Sequence, residues 1–418
     1  MEFIKDTPSE DPGFKFSDYA ENLATKIVRI DHLPTVIGVF AGWGMGKTTF
    51  MRALEGALRA KDVKTVWLSA WKYNQLEEVW AALIVELAAR IGDETGARDR
   101  ALDMARRLVS GGVKGVLQTV APHVPLGQTA MQIGSAAAQE LKGSDIDAFQ
   151  NPFEDAFQEL VSKHLEGEGD GTQRLVVFLD DIDRCLPDKA ITILESIKLY
   201  LDRGPLVFVV GADREVIETA IQRRYGTSVD YHGRKYLEKI VHVSFPLPHL
   251  SRKGVVELFF PKSNGDALPE ATRRLLAAWS RGNPRRVIQF NNGLATTEVL
   301  IGNLPTEPMQ RFTMDMITML HLSHPQVMER FLRLRDKGLW SRFVMEFGNN
   351  NFGDQTWEAS MPSLIRLHEN DSNLVATMRS AVSIAKDLVS DVSVLDTSIQ
   401  NAFNSAAQQL TAVSGADV

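Results

Sequence analysis

The feature that most constrains this chain is a glycine-rich turn between an apolar segment and a helical one. Residues 35–40 (TVIGVF) form an apolar run of strand length, and residues 48–60 fit a helix. The turn 41–49 between them reads AGWGMGKTT. It matches the pattern G-x-x-x-x-G-K-[ST], except that Ala41 stands in place of the first glycine. A strand that leads through such a turn into a helix predicts a phosphate-binding loop in an α/β domain.

Each residue type in this loop has a chemical reason to be there. Gly42 and Gly44 allow the backbone N–H groups to point at a β-phosphate, and Gly46 permits close approach. Lys47 is expected to bridge the β- and γ-phosphates, and the Thr48 hydroxyl to ligate Mg²⁺. The residues predicted to bind the nucleotide from this loop are Ala41, Gly42, Trp43, Gly44, Met45, Gly46, Lys47, Thr48 and Thr49. The alternative is a glycine-rich turn whose lysine is accidental.

An acidic sequence follows the apolar run LVVFL. Asp180 ends that run, where it is expected to hold Mg²⁺ through water, and Asp181 is the candidate for polarising an attacking water. Asp183 and Arg184 are expected to form a structural ion pair in the same turn. The alternative is a solvated acidic turn after a strand. With the phosphate-binding loop beside it, the acidic sequence makes Lys47, Asp180 and Asp181 the predicted catalytic residues.

A third apolar run, 205–211, ends in Ala212-Asp213-Arg214. A polar residue at this place can lie beside a γ-phosphate, so Asp213 or Arg214 is a candidate sensor of it. The alternative is an aspartate that caps the next helix, followed by a surface arginine. Both interpretations are compatible with the sequence.

Apolar runs of strand length alternate with helical segments over the first 250 residues. The runs are at 35–40, 64–70, 175–179, 205–211 and 239–245. This alternation predicts right-handed crossovers and a doubly wound parallel sheet. From residue 251 onward the pattern is mainly helical.

Composition excludes several other classes of protein. A net charge of −7 argues against a surface that binds nucleic acid everywhere, so nucleic acid is not indicated as a partner. The single cysteine, Cys185, excludes an intramolecular disulfide and leads us to expect a reducing, cytoplasmic location. Residues 115–139 carry no formal charge but contain many polar residues and two prolines. We therefore expect no integral membrane span there, but a soluble hairpin or a flexible insert.

Six short motifs, in order, resemble the KAP family of P-loop NTPases, a branch of the STAND-type ATPases. Together they cover roughly residues 15–295. The motifs are GWGMGKT at 42–48, SAWKY at 69–73 with VW at 79–80, DDIDRC at 180–185, VGADREVI at 210–217, YLEKI at 236–240 and NPRR at 283–286.

The resemblance implies an ATPase core that uses ATP and Mg²⁺, and a small helical lid after the last strand. In that lid Arg285 or Arg286 is implied to sense phosphate from the opposite side, although a helix start with solvated arginines is the alternative. Trp71 and Tyr73 are expected to pack under the nucleotide domain rather than to bind a base. Many members of the family carry transmembrane helices where this chain has a polar insert at 108–141, so their membrane attachment is not transferred.

The expected fold is therefore α/β: a P-loop NTPase with a doubly wound parallel sheet, a helical lid and a mainly α-helical C-terminal region. Its expected parts are an extended N-terminal segment (1–17), a core (18–250) with a polar helical insert at about 92–151, a lid (251–300) and a C-terminal helical domain (301–418).

The leading functional hypothesis is an ATP-hydrolysing switch whose nucleotide state controls binding to a protein partner or assembly into a homo-oligomer. The resemblance also suggests a role in bacterial anti-phage defence. The alternatives are a nucleotide-gated scaffold that binds ATP with negligible turnover, and a kinase that acts on a small substrate. If a neighbouring subunit completes the site, Arg184, Arg223 and Arg224 are the candidate arginines.

Overall fold

The structure is a computed structural model that describes residues 2–7, 15–73, 174–200, 205–226, 233–261, 268–334, 339–349 and 371–413. The insert expected at about 92–151, including 108–141, lies outside these residues. The chain divides into two compact units, which are described separately. Residues 8–248 form the sheet unit, and residues 1–7 with 249–418 form the helical unit.

Among its described residues, the sheet unit contains one five-stranded sheet, whose strands pair in parallel in the order β2-β3-β4-β1-β5. The strands are β1 (Thr35–Phe40), β2 (Lys64–Ser69), β3 (Leu175–Asp180), β4 (Leu206–Ala212) and β5 (Val243–Pro246). The helices are α1 (Phe16–Val28), α2 (Lys47–Arg59), α3 (Pro187–Tyr200), α4 (Arg214–Tyr225) and α5 (Gly233–Ile240). This arrangement confirms the predicted α/β class.

The three central strands β3, β4 and β1 are buried along their whole length. Strands covered on both faces need continuous apolar sequence, which is why their runs were recognisable. Parallel pairing aligns their carboxyl ends: Phe40 pairs with Ala212, and Ser69 pairs with Asp180. Residues that follow these strands therefore meet at one edge of the sheet.

The last strand differs from the prediction. The apolar run 239–245 was expected to be a strand, but α5 continues to Ile240 and β5 begins only at Val243. Leu237 and Ile240 are buried on the inner face of α5, so the apolar residues at the start of the run belong to the helix. A buried helix end and a short strand can have the same apolar composition over a few residues, and the boundary is therefore not visible in the sequence.

A buried arginine fixes α1 to the sheet. Arg174 lies just before β3, and its Nη1 donates to the carbonyl oxygens of Ile27 (2.7 Å) and Ile30 (3.0 Å) at the end of α1. These bonds hold the end of α1 and the residues just after it, where the Ile27 carbonyl also accepts the Ile30 N–H at 3.2 Å. Packing between Phe16 of α1 and Phe50 of α2, at 5.8 Å between ring centroids, then positions the helix that follows the glycine-rich loop.

The helical unit is built from the helices that follow β5 and from the first residues of the chain. The helices in its described part are α6 (Arg252–Phe259), α7 (Glu270–Ser280), α8 (Pro284–Ile301), α9 (Pro308–Ser323), α10 (Pro325–Leu334), α11 (Leu339–Asn349), α12 (Ser372–Leu388) and α13 (Leu395–Val413). Trp340 is fully buried and stacks on Phe403 of α13 at 4.6 Å between centroids. None of the helices described in either unit is long and apolar enough to cross a membrane.

The first residues of the chain are tied to α8 by two asparagines. Asn292 accepts from the Ile4 N–H at 2.8 Å and donates to the Ile4 carbonyl at 2.9 Å. Asn291 donates to the Glu2 carbonyl at 2.7 Å. The amide side chains replace the backbone partners that a strand would provide, which explains how this short segment is held without joining a sheet.

Candidate nucleotide-binding site

The glycine-rich loop runs from the end of β1 to the start of α2. Gly44 (φ 80°) and Gly46 (φ 88°) have positive φ angles, a conformation that is strained for other residues. Ala41 has no positive φ, so alanine at this position carries no such strain. A side chain at Gly46 would also approach Phe16 to 3.1 Å. The loop therefore follows the predicted path, and its one departure from the usual pattern is structurally tolerated.

The lysine of the loop is nearly buried, with 9% of its side chain exposed. Its Nζ donates to the Ala41 carbonyl at 2.9 Å and lies 3.1 Å from Asp183 Oδ2. The ammonium group is thus held at the mouth of the loop, beside the N-terminus of α2. Both the ammonium charge and the helix N-terminus favour a bound anion there.

Thr48 and Asp180 meet directly, although 132 residues separate them. The Thr48 hydroxyl donates to Asp180 Oδ2 at 2.8 Å, and the Asp181 N–H donates to Asp180 Oδ1 at 2.9 Å. Burial raises the pKa of Asp180, and the charges of Asp181 and Asp183 raise it further, whereas the two hydrogen bonds lower it. A hydroxyl and a buried carboxylate among other carboxylates are hard oxygen donors, which suit a divalent cation.

The carboxyl end of β4 leaves room for this carboxylate. A Cβ atom at Gly211 would lie 2.4 Å from Met51 Sδ and 3.1 Å from Asp180 Oδ1. A side chain here would force Met51 to shift and would crowd Asp180, a contact that the sequence alone did not reveal. The motif VGAD contained the signal, a glycine within a buried strand.

The prediction of an ion pair between Asp183 and Arg184 is wrong. Arg184 Nε instead lies 2.8 Å from Asp181 Oδ1, and Asp183 pairs with Lys47. Residues Ile182–Arg184 form one turn of 3₁₀-helix, in which side chains three residues apart lie on the same side. Residues 181 and 184 therefore face each other, and Asp183 is directed to the glycine-rich loop.

Asp181 itself has a left-handed backbone (φ 61°), which is uncommon for a residue with a side chain. Its Oδ2 accepts a long hydrogen bond from the Ser69 hydroxyl, at 3.5 Å. A cavity of about 870 Å³ lies beside it. The lining includes Thr48, Asp180 and Asp181 together with residues of α2 and β2. Water can reach the Asp181 carboxylate, which is 22% exposed, from this cavity.

Asp213 and Arg214 lie at the start of α4. Asp213 Oδ1 accepts from the Glu215 N–H at 3.1 Å, which is the capping role given above as the alternative. Arg214 Nε donates to Glu218 at 2.7 Å, and its Nη2 lies 3.8 Å from Glu238. Both side chains thus have partners within the protein. Their action as sensors of the γ-phosphate stays a prediction.

Arg285 and Arg286 belong to the helical unit, at the start of α8. Asn283 caps this helix by accepting from the N–H groups of both arginines, at 3.0 and 3.4 Å. The Arg285 side chain pairs with Asp6 at 2.5 Å, and Arg286 Nη1 donates to the Trp279 carbonyl at 3.1 Å. The role of Arg285 or Arg286 in phosphate sensing stays a prediction.

The expectation that Trp71 packs under the nucleotide domain is wrong, because 54% of this residue is exposed. It follows β2 directly, at the carboxyl edge of the sheet, in the short 3₁₀-helix Ala70–Tyr73. Nothing is assigned to Tyr73, whose side chain lies outside the described part of the chain. Trp43 in the glycine-rich loop is likewise exposed.

Several known proteins are similar to this chain over part of their length. The phage T7 exclusion protein of Escherichia coli (strain K12) is 24% identical over 260 residues, which are 59% of this chain and 34% of that protein. The kinase D-interacting substrate of 220 kDa, from Rattus norvegicus and from Homo sapiens, is 26% identical over 86 residues, 20% of this chain and 5% of those proteins. The chain thus spans about a third or less of the length of these relatives.

Among solved structures, the ORC2 protein of Aeropyrum pernix in ADPNP–ADP complexes is 10% identical, with a TM-score of 0.40 and 98% of each chain covered. Cdc6p of Pyrobaculum aerophilum is 13% identical, with a TM-score of 0.40, 97% of this chain and 89% of that chain covered.

The family comparison covers more than half of the chain. Residues 16–303 match the KAP family P-loop domain, a range that includes the glycine-rich loop, the acidic turn after β3 and the start of α8. The chain therefore belongs to the KAP family of P-loop NTPases.

Proposed function

We propose that this protein is a Mg²⁺-dependent ATPase that acts as a molecular switch. The observation that supports it most directly is the 2.8 Å hydrogen bond between Thr48 and Asp180, because it joins the glycine-rich loop to the acidic end of β3. A loop that holds phosphate and a carboxylate that holds a metal must meet in this way for phosphoryl transfer to water. Membership of the P-loop NTPase family implies that a nucleotide is bound, and the contact between Thr48 and Asp180 supports its hydrolysis.

The residues fit a Mg²⁺ ion. Thr48 and Asp180 would hold it, since Mg²⁺ is bound through one or two protein oxygens together with substrate phosphates and waters. When bound, the ion would neutralise charge on the β- and γ-phosphates. Lys47 would contact the same phosphates, and Gly42, Gly44 and Gly46 would leave the loop's N–H groups open to them.

Asp181 is the candidate for orienting and polarising the attacking water. Its carboxylate is partly exposed to the cavity beside Asp180, and its pair with Arg184 fixes one of its oxygens. In this proposal Arg214 and Arg285 respond to the γ-phosphate. Each would have to exchange its present acidic partner, Glu218 or Asp6, for the phosphate.

The switch would change contact with a protein partner or with another copy of the chain. A role in bacterial anti-phage defence is part of the proposal, and it is supported by the similarity to the phage T7 exclusion protein of Escherichia coli. We also propose a cytoplasmic location, because a single cysteine is typical of a protein in a reducing compartment. Sizing the protein with and without a non-hydrolysable ATP analogue would test nucleotide-dependent self-assembly.

The catalytic proposal is tested by phosphate release from ATP in the presence of Mg²⁺. Lys47→Ala and Asp180→Ala should each lower turnover by about 10²-fold or more, because each removes a group that acts on the phosphates or their metal. Lys61→Ala is the matched control and should retain wild-type turnover, since this partly exposed lysine pairs with Glu21. Undiminished turnover in both site variants would contradict the proposal. ATP that stays intact on the wild-type protein would favour the scaffold, and phosphate on an acceptor would favour the kinase.

A further inference from the structure

Asp183 has a place in the site that the proposed reaction does not use. Its Oδ2 lies 3.1 Å from Lys47 Nζ and also accepts the Asp213 N–H at 2.9 Å. The two side chains of the ion pair are 8% and 9% exposed. Asp183 thus joins the lysine of the glycine-rich loop to the carboxyl end of β4.

The other acidic residues of the turn have different partners. Asp180 accepts from Thr48, and Asp181 pairs with Arg184. Of these three carboxylates, the one given an ion pair with the lysine is Asp183. The contact is therefore specific to one residue, and not a general effect of an acidic turn.

The charge of Asp183 has an opposite consequence for the empty and the loaded site. In the empty site it neutralises an ammonium group that is nearly buried, and a buried charge without a partner is unfavourable. When a nucleotide arrives, the same carboxylate lies within a few ångströms of the phosphates that Lys47 must contact. Like charges so close and so poorly solvated repel each other strongly.

We propose that Asp183 is a positioning residue that holds Lys47 in the empty site and competes with the nucleotide's phosphates for it. The inference rests on the proposed function, because it concerns the same lysine. The bond from the Asp213 N–H keeps Asp183 fixed to β4 when the lysine turns to phosphate. Asp213 also caps α4, so Asp183 stays attached to the start of that helix while Lys47 exchanges the carboxylate for phosphate.

The test is the affinity for ATP and ADP of Asp183→Asn, measured by calorimetric titration with Mg²⁺ present. Asparagine retains the shape and an acceptor for the Asp213 N–H but removes the charge. Both nucleotides should bind about tenfold more tightly, because one repulsive charge is gone. A residue with a merely structural role would weaken binding when replaced. If Asp183→Asn does not fold, Asp183→Ser, a smaller neutral acceptor, takes its place.

Asp188→Asn is the matched control. Asp188 is an exposed carboxylate at the start of α3, and its removal changes the net charge by the same amount. Its effect on affinity should stay within about twofold, because exposed charges are screened by salt. Tighter binding in both variants would mean that net charge, and not the contact with Lys47, is responsible, and would overturn the inference.

A double-mutant cycle on the nucleotide-free protein tests the ion pair separately. Lys47→Met alone leaves a buried carboxylate without its cation and should lower the unfolding temperature. Lys47→Met with Asp183→Asn should recover part of that loss, so the two effects should not add. Additive effects on the unfolding temperature would show that Lys47 and Asp183 do not interact, and would overturn the inference. A wild-type protein that binds no ATP would contradict the proposed function itself, whereas wild-type binding with an unchanged or weakened Asp183→Asn overturns only the inference.

Discussion

Two buried aspartates, one in each unit, have similar burial but different surroundings. Asp180 ends β3 in the sheet unit, and Asp315 lies in the middle of α9 in the helical unit. Burial raises the pKa of both carboxyl groups, that of Asp315 to about 6. Neither burial nor the direction of the pKa shift therefore distinguishes the carboxylate proposed to hold a metal from a structural one.

Their partners differ. Asp315 accepts from the Thr272 hydroxyl and from Arg311 Nε at 3.0 Å, so its charge is neutralised within the helical unit. Asp180 receives its hydrogen bonds from neutral donors, and the charged groups that raise its pKa are two further carboxylates. Excess negative charge at the carboxyl edge of a parallel sheet is a reason to bind a cation. A carboxylate that already has its cation needs no ligand.

The largest expected difference is in turnover. Asp180→Asn removes the charge that would hold Mg²⁺, and we expect ATP hydrolysis to fall by about 10²- to 10³-fold. Asp315→Asn makes the same chemical change in the helical unit and should leave turnover within about threefold. Phosphate release at saturating ATP and Mg²⁺ measures both variants. Equal losses in the two would show that burial, and not the set of partners, decides which aspartate matters.

The next effect is on the pH dependence of stability. The pKa of Asp315 is raised from 3.8 to about 6, so between about pH 4 and 6 the folded protein holds a proton that the unfolded chain has released. Below this window both states are protonated, and above it both are ionised. The free energy of unfolding should therefore fall, from this group, by about 3 kcal/mol as the pH rises through the window.

Urea unfolding at pH 4 and pH 6.5 measures this contribution. Asp315→Asn cannot titrate, and the difference between the two pH values should shift by about 2 kcal/mol relative to wild type, because the unfolded carboxyl is already partly ionised at pH 4. Asp387→Asn, which removes an exposed carboxylate that pairs with Arg274, is the control and should leave the difference unchanged. A wild-type-like pH dependence in Asp315→Asn would mean that this buried group keeps its ordinary pKa.

The sequence predicted the central sheet because strands buried on both faces must be continuously apolar. It also predicted the residues that the structure brings together at one edge, since Lys47, Thr48 and Asp180 each follow or end a parallel strand. The partner of Asp183 was missed, because the turn geometry of residues 182–184 decides where that side chain points. The attachment of Ile4 to Asn292 was missed for a related reason: no local pattern records a contact across 288 residues.

The smallest expected effect is on the free energy of unfolding, when alanine replaces a closely packed glycine in each unit. One glycine lies beside Asp180 and the other in the helical unit. At Gly211 an added Cβ would meet Met51 Sδ at 2.4 Å and crowd Asp180, whereas at Gly293 in α8 it would meet the Thr318 methyl at 2.9 Å. Gly211→Ala should lower the free energy of unfolding by about 1–3 kcal/mol, since an overpacked core must shift. Gly293→Ala should change it by less than about 1 kcal/mol, because alanine's better helix propensity offsets the movement of one methyl group.

Urea unfolding compares the two glycine variants with Gly56→Ala, in which nothing lies within 4 Å of the added Cβ. That exposed helix position should gain about 0.5–1 kcal/mol. ATP turnover should also differ between the glycine variants of the two units. Gly211→Ala should lower it because Asp180 is displaced, and Gly293→Ala should not. If Gly211→Ala keeps full turnover while losing stability, the Asp180 carboxylate tolerates displacement. Its exact position beside β4 is then not needed for the reaction.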